Sequence, residues 1–80
     1  MAQHVLAIDL GSTGVKVAVV DETGRVCSSA GEVLPLIFTA DGGVEQDPNG
    51  WWEALGRCAR HAVAHSGVQR GDISLVAVTT

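Results

Sequence analysis

Eighty residues are enough for one small domain; 46% are hydrophobic, 18% are charged, and the formal net charge is −4. The five Lys and Arg are scattered, which excludes the clustered cations that duplex nucleic acid or an anionic membrane surface requires. Two cysteines are too few for a disulfide framework, no stretch reaches the roughly 18 apolar residues of a membrane span, and "MAQHVLAIDLGS" lacks the basic start of a signal peptide. The expectation is a cytoplasmic protein with reduced thiols and no nucleic-acid or membrane partner.

Residues 4–10, "HVLAIDL", are too apolar for simple alternation and predict a strand covered on both faces. Residues 11–14 form a turn, and the β-branched run "VKVAVV" at 15–20 predicts a second strand. "DETG" at 21–24 is a short turn, and 25–34, "RVCSSAGEVL", is a more polar third strand suited to an edge, with Pro35 limiting further pairing. Two tight turns between three strands make an antiparallel meander, because neither connection is long enough for a parallel crossover.

Residues 39–50 read as loop and helix start. Asp47 followed by Pro48 is an N-cap with proline at the first helical position. Trp51 or Trp52, Leu55, Cys58 or Ala59, and Ala62 or Val63 then recur at three-and-four spacing, and Gly67 is a natural stop. "ISLVAVTT" at 73–80 is an almost uninterrupted apolar strand. It follows a helix, so it can lie parallel to an earlier strand through a right-handed crossover. The order is β-β-β-α-β, the sheet order is expected to be 3-2-1-4, and the chain reads as the N-terminal piece of a larger protein.

The chemistry-bearing stretch is "IDLGSTGVK", residues 8–16. A carboxylate at the end of an apolar strand would be costly if buried without a partner. The stretch is neither the P-loop pattern nor a dinucleotide fingerprint, since only Gly11 and Gly14 are present and a strand follows them. Two readings of these residues stay open. In one, loop N–H groups and the Ser12 and Thr13 hydroxyls meet an anion, Asp9 holds Mg²⁺ directly or through water, and Lys16 reaches the same phosphate. In the other, the stretch is a glycine-containing turn capped by Asp9.

"AIDLGSTGVKVAVVDETGRV" together with "VEQDPNGWWEAL" resembles the amino-terminal end of the FGGY carbohydrate kinases, within the wider actin, hexokinase and heat-shock chaperone ATPase superfamily. The first stretch is shared across that superfamily; "EQDP" followed by "WW" looks more like the xylulose and gluconate kinase branches than the glycerol kinases. The resemblance covers essentially the whole chain. It implies an α/β, actin-like (ribonuclease H-like) ATPase fold with a mixed sheet, of which residues 1–80 would be the N-terminal part of the first, sugar-binding domain. It implies ATP and Mg²⁺ as cofactors, with Asp9, Gly11, Ser12, Thr13, Gly14 and Lys16 on the phosphate-binding motif and Asp9 at the metal. The catalytic aspartate and adenosine pocket would lie downstream. The implied activity is transfer of the ATP γ-phosphate to a sugar or polyol hydroxyl, xylulokinase-like, by the full-length protein and not by these residues alone. The alternative is a non-catalytic sugar- or nucleotide-binding relative. Self-association, as a homodimer, is the remaining partner expectation.

Other residues read more simply. Glu45, Gln46 and Asp47 are favoured as a loop ending in a helix cap over a border of the sugar cleft. Adjacent helical residues point about 100° apart, so one of Trp51 and Trp52 anchors the helix and the other lies at its edge. His61 and His65 have metal-pair spacing but no third ligand, and both suit the end of a helix. Cys27 and Cys58 read as packed small hydrophobes.

Overall fold

The computed structural model describes residues 3–80; the first two residues of the N-terminal segment lie outside the described part. β1 (His4–Leu10), β2 (Gly14–Asp21) and β3 (Val26–Val33) form the expected antiparallel meander, and β6 (Ile73–Thr79) returns parallel to β1. The sheet order is β3-β2-β1-β6, so the polar third strand is indeed an edge. A short hairpin not expected from the sequence, β4 (Ile37–Phe38) with β5 (Val44–Glu45), occupies part of the segment read as loop.

The β2–β3 turn is held by one carboxylate. Asp21 accepts from the Thr23 hydroxyl and from the backbone N–H groups of Thr23 and Arg25, at 2.6, 2.9 and 3.0 Å. Those donors, the Thr23 hydroxyl first, hold its carboxyl below the usual aspartate range.

Helix α1 (Pro48–His65) begins where the Asp-Pro pair predicts: the Asp47 side chain accepts from the Asn49 N–H at 3.0 Å. Such a cap stabilises a helix by about 1 kcal/mol. It ends at Ser66, whose hydroxyl donates to the Val63 carbonyl at 2.7 Å, followed by Gly67 at φ 73°, a left-handed position that suits glycine.

α1 lies on one face of β2 and β3. Its buried stripe, Ala54, Cys58 and Ala62, is small and four residues apart, so the helix seats closely on Val15, Val17 and Val19 of β2. Burying each of those valines contributes roughly 1.5–3 kcal/mol. Two polar ties fix helix to edge strand: the Ser28 hydroxyl donates to the Ala62 carbonyl, and Glu32 pairs with Arg57. Burial pushes the Cys58 thiol up, consistent with a packed rather than reactive cysteine. Trp51 is the half-buried tryptophan and Trp52 is 75% exposed.

The first strand was expected to be covered on both faces, and β6 is equally apolar. Within the described residues α1 packs mainly on β2 and β3 and reaches β1 at Ile8, which is buried with the helix's small residues. Leu75, Val76 and Val78 of β6 remain 55–59% exposed. A groove of about 580 Å³ lined by Ile8, Trp52, Leu55 and Ala59 opens beside the helix.

Candidate functional site

The β1–β2 loop places the candidate residues at one end of the sheet. In the ladder register Asp9 stands opposite Lys16 on β2 and Thr79 on β6. Residues of β1 and β2 alternate, with Ile8, Val15 and Val17 buried and Asp9 and Lys16 exposed. That parity puts Asp9 and Lys16 on the open face, away from α1. A hollow of about 270 Å³ sits there, lined by Asp9, Gly11, Thr13, Gly14, Lys16 and Gly31. Ser12 belongs to the same loop but not to the lining.

The opening charge problem therefore resolves by exposure. Asp9 is not buried, and among the described residues its carboxylate accepts one hydrogen bond, from the Thr79 hydroxyl to Oδ1 at 3.3 Å. Lys16 faces it across the ladder without an ion pair; among the described residues the ion pair is Glu32 with Arg57. Asp9 also accepts no loop N–H, so it does not act as a turn cap of the kind Asp21 provides.

The loop is pinned through its carbonyls. Gly14 O accepts from Gly11 N–H at 2.9 Å, and Thr13 O accepts from Leu34 N–H at 2.8 Å. Ser12 O accepts from the Gln46 side-chain amide at 2.6 Å. The N–H groups and hydroxyls of Ser12 and Thr13 donate to no acceptor among the described residues. Gly14 has a packing reason to be glycine: a Cβ there would lie 2.3 Å from the Glu32 carbonyl oxygen, so only a bare Cα allows β2 and β3 to approach.

Gln46 is the residue that sequence reasoning underrated. Besides donating to Ser12, it accepts from the Trp51 indole N–H at 3.1 Å, so it bridges the loop to the first turn of α1. Ser12 and Gln46 are 34 positions apart, and no local pattern announces that contact. Glu45 is exposed and Asp47 is occupied as the cap. His61 and His65 stack with ring centroids 4.1 Å apart, and His65 Nδ1 lies 2.9 Å from the His61 carbonyl. No group of three His, Cys, Asp or Glu gathers as a metal centre among the described residues.

The sequence profile of the FGGY family of carbohydrate kinases, N-terminal domain, matches residues 4–80. The chain belongs to this family. It is 35% identical over 79 residues to a glycerol kinase of Xanthobacter autotrophicus, covering 99% of this chain and 16% of that protein. It is 32% identical over 76 residues to glycerol kinase 5 of Xenopus laevis, covering 95% of this chain and 16% of that one. The structure of gluconate kinase from Lactobacillus acidophilus aligns with a TM-score of 0.84 at 23% identity, over 99% of this chain and 15% of that chain. The fold is accordingly the N-terminal β-β-β-α-β portion of the actin-like, ribonuclease H-like ATPase fold, with a mixed sheet. No helix among the described residues is long and apolar enough to cross a membrane.

Proposed function

We propose that these residues form the first part of the sugar-binding domain of a carbohydrate kinase, and that the β1–β2 loop binds the phosphates of ATP. The observation that carries this reading is the state of Asp9: an exposed carboxylate at the end of a strand, without a cation partner among the described residues, beside loop donors that no described residue uses. The residues fit the groups the reading requires. Mg²⁺ is commonly held by one or two carboxylates together with water and substrate phosphates, so Asp9 suffices without a cluster of ligands. Bound there, the ion would neutralise charge on phosphate oxygens. Ser12 and Thr13 would offer their backbone N–H groups and hydroxyls to the anion, with Gly11 and Gly14 shaping the loop that presents them. Lys16 would add a flexible positive charge from the same face. Such a loop positions and neutralises, which is most of what a protein does in phosphoryl transfer; the proton-accepting aspartate would come from a later part of the chain.

The acceptor in this reading is a sugar or polyol hydroxyl. The "EQDP…WW" stretch favours a xylulokinase-like acceptor, whereas the relatives named above are glycerol kinases and the structural neighbour is a gluconate kinase. The test is ADP release by the full-length protein with Mg²⁺-ATP and, in turn, xylulose, glycerol and gluconate. Turnover dependent on one of them supports a kinase. ATP or sugar binding without turnover on a wide panel of sugars and polyols would favour the non-catalytic reading.

A further inference from the structure

We infer that Gln46 is a positioning residue for the phosphate loop, held in its working orientation by Trp51. The inference rests on the reading of residues 11–14 as the phosphate loop and names a part of it that no loop residue supplies.

The argument starts from the amide itself. An indole N–H can only donate, so the Gln46 atom 3.1 Å from Trp51 Nε1 must be the carbonyl oxygen. The other end is then the NH₂ group, and it points at Ser12 O, which can only accept. Trp51 thus selects one of two amide orientations, and the selected one is the orientation that can bind the loop. Glutamine is the side chain this position needs. A carboxylate would accept from the indole equally well but would set negative charge against the Ser12 carbonyl.

The base of the side chain is also fixed. Glu45 is the last residue of the β4–β5 hairpin, and Asp47 is the capping residue of α1, with Pro48 next. Gln46 lies between two restrained neighbours, and its reach to the loop is set by the entry of the helix.

The consequence falls on the peptide between Ser12 and Thr13. None of the described peptide bonds is cis, and a trans peptide directs its C=O and N–H to opposite sides. Holding Ser12 O towards Gln46 turns the Thr13 N–H the other way. Thr13 lines the hollow and Ser12 does not. Released, the same peptide could rotate its carbonyl towards the hollow, presenting an acceptor to a phosphate oxygen that is itself an acceptor. The strut therefore acts on anion affinity through the loop without itself touching the anion.

The experiment uses the full-length protein and compares Gln46→Glu, Gln46→Ala, Trp51→Phe and the double variant Gln46→Ala/Trp51→Phe, with Lys16→Ala as an independent probe of the phosphate site. For Gln46→Glu and Gln46→Ala the expected result is a rise of about tenfold in KM for ATP, the scale of one lost hydrogen bond, with KM for the acceptor within about twofold of wild type. Trp51→Phe should raise KM for ATP less, because the amide can still bind when it samples the right orientation. The double variant should be no worse than Gln46→Ala alone, since the indole acts only through the amide. If Lys16→Ala raises KM for ATP and both Gln46 variants leave it unchanged, the strut is overturned and the phosphate reading stands. If none of these variants changes it, both fall. Equal rises in the two KM values would mark general structural damage and also overturn the positioning role. Trp51→Phe keeps the aromatic ring, so the inference remains testable should Gln46→Ala fail to fold.

Discussion

Arg57 grips Glu32 with two nitrogens: Nε reaches Oε2 at 2.9 Å and Nη2 reaches Oε1 at 2.8 Å, joining α1 to the edge strand β3. The Arg57 guanidinium holds the Glu32 carboxyl below the usual glutamate range, and the Glu32 carboxylate in turn raises Arg57. A carboxylate with a depressed folded-state pKa stabilises the fold above its unfolded pKa, and that contribution is lost as pH falls through the folded value. Glu32→Gln should therefore lower the melting temperature at pH 7 by a small amount, because the pair is partly exposed to solvent. The difference between wild type and variant should shrink as pH falls below about 4.3, the ordinary glutamate value. Thermal melts of both proteins from pH 7 to pH 3 check this; a constant difference would show that the pair is not the cause.

Gly14 and Gly11 should separate packing from binding. A Cβ at Gly14 would collide with the Glu32 carbonyl at 2.3 Å, whereas one at Gly11 would meet Gly14 O at an ordinary 3.6 Å. Gly14→Ala should destabilise the full-length protein by about 1–3 kcal/mol or more, since backbone must move. Gly11→Ala should leave the melting temperature within about 2 °C, the shift that a few tenths of a kcal/mol would give. Denaturation of both variants, side by side, measures the contrast.

These two glycines also show what the sequence makes legible. The loop's place between two strands follows from "DLGSTGVK", and the sheet order follows from two tight turns and a helical crossover. The Asp-Pro pair marks the start of α1 to the residue. Which tryptophan packs is a matter of helix phase: Trp51 precedes the buried Ala54 by three positions and Cys58 by seven, and Trp52 falls outside that stripe. The β4–β5 hairpin is not legible from periodicity because each strand is two residues long and exposed, although the Asp41-Gly42 turn is a local signal for it. The Gln46–Ser12 contact joins distant positions and leaves no trace in composition or spacing.

The isolated residues 1–80 should associate. Leu75, Val76 and Val78 are more than half exposed, and the groove beside α1 is lined by Ile8, Leu55 and Ala59. Contiguous apolar patches beyond about 400 Å² are unusual on a soluble monomer. Sedimentation should show self-association, and a hydrophobic dye should gain fluorescence; a monodisperse, dye-silent monomer would contradict the expectation.

The same 80 residues should not turn over ATP in the presence of any sugar. In the proposed reading they supply phosphate and metal contacts but neither a proton acceptor for the sugar hydroxyl nor an adenosine pocket. ADP release by the purified piece, at a rate that depends on added sugar, would show that the chemistry needs less than the proposal requires.

The most direct test of the account is Asp9→Asn in the full-length protein, with kcat and melting temperature measured on the same preparation. Asparagine keeps the size of the side chain and an oxygen that can accept from Thr79, so the fold should be spared, with the melting temperature essentially unchanged. What it loses is the negative charge that would hold Mg²⁺. That charge should matter most as charge develops in the transition state, so the loss should fall mainly on kcat, by about 100-fold or more. The account predicts a stable and nearly inactive enzyme. A destabilised protein with near-normal turnover would contradict it and make Asp9 a structural residue.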